Sequence, residues 1–115
     1  MPATNLSEAE LRRKLAIYYG ADPEQTSRDI LAVVDEAIAG GATSIQLRTK
    51  HTDGREMFNL AVAMVRRCQE RDVLFFVNDR VDIAIACGAD GVHVGAKDLP
   101  LPATRALTGE GVIIG

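Results

Sequence analysis

The alternation of short apolar runs with helical patterns constrains the fold of this 115-residue chain more than any other feature. Five runs have the length and composition of strands, at 15–19, 43–47, 73–77, 91–94 and 112–114. The segments between them place apolar residues at helical spacing or begin with residues that cap helices. Strands that alternate with helices predict a parallel sheet whose crossovers are right-handed.

Local signals set the expected helix boundaries. Ser7 and Glu10 match a capping box, which predicts a short helix through Lys14. Longer helices are expected from the apolar spacing and from the glycines that follow it. Two longer helices are expected: 30–38, which ends before Gly40-Gly41, and 53–71, which begins at the N-cap Asp53. Two shorter helices are expected at 81–87, before Gly88, and at 102–107. Residues 20–23 are expected to form a loop, because Pro23 disfavours helix in the residue before it.

An internal similarity favours a barrel over an open sheet. Residues 39–47 and 86–94 share a helix end, a glycine turn and a strand, and this alignment pairs Gln46 with His93. Repeated βα units are typical of a (β/α)8 barrel. An open doubly wound sheet is the alternative, although no glycine-rich phosphate loop follows the first strand. Because such barrels have eight strands and commonly about 250 residues, we expect an N-terminal helical extension in 1–14 and a half barrel of five strands in 15–115.

Composition excludes several classes of protein. The net charge is −3, which leaves no basic excess to drive nonspecific binding of nucleic acid. No apolar run is long enough for a transmembrane helix, and the hydrophobic fraction of 47% is too high for a disordered chain. Cys68 and Cys87 match no metal or redox spacing, and the first residues lack a signal peptide. We therefore expect a cytoplasmic protein with reduced thiols, bound to neither nucleic acid nor membrane.

Two basic residues follow the second predicted strand. In parallel α/β folds, ligands bind at the carboxyl ends of the strands. Side chains alternate along a strand, so Gln46, Arg48 and Lys50 are expected on the side opposite to Ile45 and Leu47. A guanidinium and an ammonium group that open toward the barrel mouth suit a phosphate or a diphosphate. The alternative is a basic loop that is merely solvated.

Two carboxylates follow the third and fourth predicted strands. Asp79 and Asp98 are expected at the same end of the sheet, where two carboxylates beside a diphosphate suit Mg²⁺. Alternatively, Asp79 caps the helix that begins near Val81. His93 is expected to face inward as a hydrogen-bonded core residue, and His51 to be exposed.

The order of four motifs resembles a known family. These motifs are Gln46-Leu47-Arg48-Thr49-Lys50, Val77-Asn78-Asp79-Arg80, 88–95 and Asp98-Leu99-Pro100. From about Ile17 to Gly115, the chain resembles the first half of thiamine-phosphate synthase, also called thiamine-phosphate pyrophosphorylase. The resemblance implies a TIM-barrel transferase of thiamine biosynthesis. It would couple hydroxymethylpyrimidine diphosphate with a thiazole phosphate to give thiamine phosphate and diphosphate.

The resemblance also implies roles for the polar residues at the strand ends. Those that would bind substrate are Gln46, on the pyrimidine, and Arg48, Lys50 and Asn78, on the diphosphate. Arg48 and Lys50 would also be catalytic, because negative charge grows on the leaving diphosphate. Asp79 and Asp98 would bind the cofactor Mg²⁺. Thr49 and Lys97 depart from the family pattern, which has acidic residues at both positions.

Several functional hypotheses stay open at this stage. The chain is expected to be an N-terminal piece of such a synthase, with little or no catalysis on its own. A self-associating half barrel is a second hypothesis, because unpaired sheet edges pair with other chains, and it predicts a homo-oligomer. A noncatalytic module that binds diphosphate is a third. A thiazole tautomerase-like relative is disfavoured because Gln46 and Asp98 are both present.

Overall fold

A computed structural model of the protein, which describes residues 6–115, shows one five-stranded sheet with all neighbouring strands parallel. The strands are β1 (Tyr18–Ala21), β2 (Ser44–Leu47), β3 (Leu74–Asn78), β4 (Gly91–His93) and β5 (Ile113–Ile114). The helices are α1 (Glu8–Lys14), α2 (Ile30–Ala39), α3 (Gly54–Glu70), α4 (Val81–Cys87) and α5 (Leu101–Thr108), and a short 3-10 helix covers Pro23–Gln25. Residues 1–5 of the predicted N-terminal extension lie outside the described residues.

The strand order identifies the type of parallel sheet. The strands lie side by side in the order β1-β2-β3-β4-β5, which is also their order along the chain. A doubly wound sheet reverses its strand order at a switch point, whereas a barrel does not. The predicted α/β fold with barrel-type order is therefore confirmed, and the open doubly wound alternative is wrong.

The two faces of the sheet have different surroundings. The helix-covered face is the main core, in which Ile45, Leu47 and Phe75 are fully buried against α2 and α3. On the opposite face, the partly exposed Tyr18 ring packs against the buried Phe76, with ring centroids 5.2 Å apart. Among the described residues 6–115, no helix is both long and apolar enough to cross a bilayer.

The predicted first strand needs correction. It was expected at 15–19, but β1 spans Tyr18–Ala21, and the expected loop begins only after Ala21. Leu15 instead ends α1, where its N–H donates to the Leu11 carbonyl at 2.9 Å. Ala21 continues the ladder because its carbonyl accepts from Arg48 N–H at 2.9 Å, and its side chain is fully buried.

The other predicted boundaries agree with the structure to within about two residues, and α4 matches its predicted range. The Ser7 hydroxyl accepts from Glu10 N–H at 3.1 Å, and the Asp53 carboxylate accepts from Glu56 N–H at 2.9 Å, so both predicted N-caps form. At the end of α2, the positive φ belongs to Gly41, at 115°, and not to Gly40. The local signals therefore determine where most helices begin and end.

Candidate active site

The carboxyl ends of β2, β3 and β4 surround a cleft with a cavity volume of about 370 Å³. Among the residues proposed from sequence, Arg48, Lys50, Asn78, Asp79 and Asp98 line it. The cleft is also lined by residues with no predicted role, namely Thr49, Thr52, Met57, Arg80, His93 and Gly95. The strand ends therefore bring together both cations and both carboxylates that the motifs singled out.

Arg48 and Lys50 are exposed, while Thr49 between them is buried. The backbone at Arg48 is fixed by its hydrogen bond to Ala21, so the loop leaves β2 in a defined direction. Within residues 6–115, neither cation has a carboxylate within ion-pair distance. Two unpaired cations that line one cleft can both bind an anion there.

Asp79 occupies an unusual backbone conformation. Its φ is 66°, a left-handed value that a non-glycine residue adopts at some energetic cost. Its N–H donates to the His93 carbonyl at 2.7 Å, and its carbonyl accepts from Val81 N–H at 2.9 Å. Helix α4 begins after Arg80 with no side-chain cap. The alternative that Asp79 caps this helix is therefore wrong, and its carboxylate is directed to Asp98 instead.

The carboxyl groups of Asp79 and Asp98 form a neighbouring pair in the cleft, and each changes the pKa of the other. The pKa of Asp79 is raised, first by partial burial and then by the Asp98 carboxyl group beside it. The pKa of Asp98 is lowered, first by a hydrogen bond from Gly95 N–H, whose nitrogen is 2.8 Å away, and then by Asp79. The nearby charge of Lys50 also lowers it. The pair thus concentrates negative charge in one part of the cleft.

This pair bears on the expected magnesium site. The described residues contain no group of three or more His, Cys, Asp or Glu side chains that could hold a metal by themselves. Magnesium, however, commonly uses one or two carboxylates and takes its other ligands from water and substrate phosphates. Burial is the first cause of the raised pKa of Asp79, and the neighbouring Asp98 adds a repulsion that a divalent cation would relieve. The donor set therefore fits Mg²⁺ only together with a phosphorylated ligand.

His93 corrects the expectation from the internal similarity. It is exposed in the cleft and is not a core residue, and its Nδ1 lies 3.2 Å from Asn78 Oδ1. In the sheet, Gln46 pairs with Phe76, and Phe76 pairs with Gly91. His93 pairs with Asn78, two residues further along the strands. Gln46 and His93 share a face of the sheet but lie at different levels.

Gln46 does not line the cleft. It is only 8% exposed, and its Nε2 donates to the Tyr18 hydroxyl at 2.8 Å. Burial raises the pKa of Tyr18, and the Gln46 hydrogen bond partly offsets this. Gln46 therefore belongs to the layer of side chains beneath the cations and carboxylates.

The contact between Glu24 and His51 is not predicted from the sequence. Glu24 follows β1, and its carboxylate accepts from His51 N–H at 3.0 Å and lies 2.9 Å from His51 Nδ1. His51 is exposed as expected, but it is held by this contact. Only the 27-residue separation hides the pair, since both residues follow neighbouring strands.

A second cavity, of about 520 Å³, lies at the opposite ends of the strands. Arg13, Lys14 and Arg71 line it, each at the end of a helix. Cations at helix carboxyl ends stabilise the helix dipole, and Lys14 already pairs with Asp72 at 2.6 Å. Those dipoles oppose the binding of an anion, so the smaller cleft is the better candidate site.

Similarity to known proteins identifies the family of this chain. The family model for thiamine monophosphate synthase matches residues 17–115. The thiamine-phosphate synthase of Coprothermobacter proteolyticus is 44% identical over 111 residues, which are 96% of this chain and 53% of that protein. The thiamine-phosphate synthase of Persephonella marina is 42% identical over 105 residues, which are 90% of this chain and 50% of that protein.

A solved structure shows the same fold. Thiamine phosphate pyrophosphorylase from Pyrococcus furiosus superposes with a TM-score of 0.81 at 38% identity, covering 90% of this chain and 50% of that one. With coverages of 53% and 50%, the chain spans about half the length of the curated relatives it matches.

Proposed function

Because this chain belongs to the thiamine monophosphate synthase family, we propose that it forms the diphosphate-binding part of a transferase. The reaction would couple a hydroxymethylpyrimidine diphosphate with a thiazole phosphate, releasing diphosphate and forming thiamine phosphate. One observation carries the proposal: two cations without an ion-pair partner and two neighbouring carboxyl groups line the same cleft at the strand ends. The substrates would be small molecules, and the cleft volume of about 370 Å³ lies in the range of small-molecule sites.

The cations act on the leaving diphosphate. Arg48 and Lys50 bind it and stabilise the charge that grows on it as the bond to the pyrimidine methylene group breaks. Asn78 adds a hydrogen-bond donor, since its Oδ1 faces His93 and its amide nitrogen is left for the ligand. Because the strand ends already place these groups along one cleft, they can stabilise the transition state with limited reorganisation.

Asp79 and Asp98 would hold Mg²⁺, which when bound supplies further positive charge at the diphosphate. Asp98 favours the ionised form, because the hydrogen bond from Gly95 N–H, and then Asp79, lower the pKa of its carboxyl. Gln46 would contact the pyrimidine from below, with its orientation set by the Tyr18 hydroxyl. We assign no nucleophile, since departure of the diphosphate requires none.

Binding is the direct test, because the chain spans about half the length of its relatives. We expect inorganic diphosphate to bind in the presence of Mg²⁺ by calorimetry, and Arg48→Ala to weaken binding at least about tenfold, as for the loss of a charged hydrogen bond. Arg66→Ala, which removes an exposed arginine of α3 outside the cleft, is the matched control. Equal affinities for the two variants would refute the assignment of the cleft.

Self-association is a further part of the proposal. Strands β1 and β5 are the edges of the described sheet, and Ile17 beside β1 is 56% exposed. Unpaired edges and exposed apolar side chains favour pairing with a second chain. We expect a homo-oligomer in sedimentation at micromolar concentration, and a purely monomeric profile would contradict this.

The proposed location is the cytoplasm. Cys68 and Cys87 are free thiols, as is usual in that reducing compartment. Detection of the protein in an oxidising compartment would contradict this location.

A further inference from the structure

Glu24 joins two loops at the cleft. It lies in the 3-10 helix that follows β1, and its partners lie in the loop 48–53 that connects β2 to α3. Besides its two contacts with His51, its carboxylate accepts from the Thr49 hydroxyl at 3.4 Å. The Thr49 hydroxyl is in turn 2.6 Å from that of Thr52. One carboxylate therefore contacts residues on both sides of Lys50.

The loop has few other fixed points. Its first residue, Arg48, is held by Ala21, and its last, Asp53, caps α3. Between them, in the described chain, the backbone of residues 49–52 makes no hydrogen bond to other backbone groups. The position of Lys50 thus depends on the side-chain contacts of its neighbours, and Glu24 supplies most of those contacts.

Glu24 also leaves the two cations free. Its carboxylate pairs with His51 and not with Arg48 or Lys50. The hydrogen bond from His51 holds the pKa of Glu24 below its ordinary value, so the carboxylate stays ionised and keeps these bonds. An anion can then approach the cations without displacing a carboxylate from them.

We propose that Glu24 is a positioning residue, which fixes the loop 48–53 so that Arg48 and Lys50 present their charges to one diphosphate. The inference rests on the proposed function, since it names the group that shapes the same site. Glu24 itself does not line the cleft. Its effect passes through Thr49 and His51.

The test measures binding of inorganic diphosphate with Mg²⁺ by calorimetry, first in three single variants. We expect Glu24→Ala to weaken binding about tenfold. Glu24→Gln keeps an oxygen that accepts from His51 N–H and Thr49, so we expect it to retain most of the affinity. Glu36→Ala removes an exposed carboxylate of α2, which pairs with Arg28 at 2.6 Å. We expect this variant to bind diphosphate as the wild type does.

A double-mutant cycle with Lys50→Ala separates positioning from general destabilisation. If Glu24 acts through the loop, Glu24→Ala should have a much smaller effect once Lys50 is removed. A full tenfold effect in the Lys50→Ala background would overturn the inference, as would unchanged affinity of Glu24→Ala in a wild-type chain that binds diphosphate. A wild-type chain that fails to bind diphosphate would overturn the proposed function, and this inference with it.

Discussion

Substitution of Gly91 tests how tightly the inner face of the sheet is packed. Gly91 lies on β4 beside Phe76 of β3, and a Cβ atom placed on it would be 2.3 Å from Phe76 Cε2. The same Cβ would be 2.8 Å from the carbonyl oxygen of Ile113 on β5. Ordinary contacts between carbon atoms are about 3.5–4.0 Å long. Gly91→Ala therefore forces either the ring or the last strand to move.

Neither group moves easily. Phe76 is 2% exposed and packs against Tyr18, so its ring has no space to turn into. The Ile113 carbonyl belongs to a strand held by backbone bonds from Ile113 N–H to Asp90 and from Gly115 N–H to Val92. Overpacking of a core commonly costs about 1–3 kcal/mol, and the backbone contact places this case at about 3 kcal/mol. That loss lowers the melting temperature by roughly 12 °C in a domain of this size.

Chemical and thermal unfolding measure the effect, and Gly20→Ala is the matched control. Gly20 lies in the same row of the sheet, through its pairing with Gln46, but its Cβ would meet no atom within 4 Å. We expect Gly20→Ala to be neutral or to stabilise by about 0.4–1 kcal/mol, because alanine restricts the unfolded chain. Adding Phe76→Leu should recover part of the Gly91→Ala loss. Equal stability of the two alanine variants would refute the packing argument.

Two further changes test the polar contacts of the sheet. Tyr18→Phe keeps the ring on Phe76 but leaves Gln46 Nε2 without its acceptor, which should lower the free energy of unfolding by about 1–3 kcal/mol in urea titrations; an unchanged midpoint would contradict that bond. Burial raises the pKa of Asp90, whose carboxylate accepts from Phe75 N–H at 2.8 Å. A raised carboxyl pKa means that ionisation destabilises the fold, so the stability this group contributes is present at low pH and lost as pH rises through the folded-state pKa. The free energy of unfolding of Asp90→Asn, relative to that of the wild type in urea titrations, should therefore be higher at pH 7 than at pH 3. If this difference instead grew as the pH fell, the sign of the argument would be wrong.

Helix boundaries were predictable because their causes are local. The capping box at Ser7 and the N-cap at Asp53 are each complete within three residues of sequence. The start of β1 was not predictable in this way, because distant residues set it. The Thr43 hydroxyl accepts from Ile17 N–H at 3.0 Å, and the Ser44 hydroxyl donates to the Lys14 carbonyl at 2.5 Å. These contacts end α1 and delay the strand, although 15–17 is as apolar as the strand itself.

The sequence predicts which charged residues line the cleft, but not at which height along the strands each side chain lies. Charged residues directly after apolar strands meet at one edge of a parallel sheet, which is why Lys50, Asp79 and Asp98 line one cleft. The stagger between neighbouring strands is not written in a single motif, and so His93 was placed level with Gln46. Glu24 was missed because its partners are 25 and 27 residues away, in a loop whose path only the fold determines.

The stagger divides the inner face into a floor and a rim with separate roles. The floor is the row in which Gly20, Gln46, Phe76 and Gly91 pair in register, and Tyr18 packs on it through Phe76 and a partly buried hydrogen bond from Gln46. The rim begins two residues further along, where Asn78 pairs with His93 and the charged side chains follow. Because Gln46, Phe76 and Gly91 are buried, substitutions at these floor positions should change stability first. Arg48 and Lys50 are exposed at the rim, so their substitution should change anion binding with little effect on stability. The left-handed backbone of Asp79 lies at this boundary, where β3 ends, and it turns the carboxylate toward Asp98 instead of toward α4.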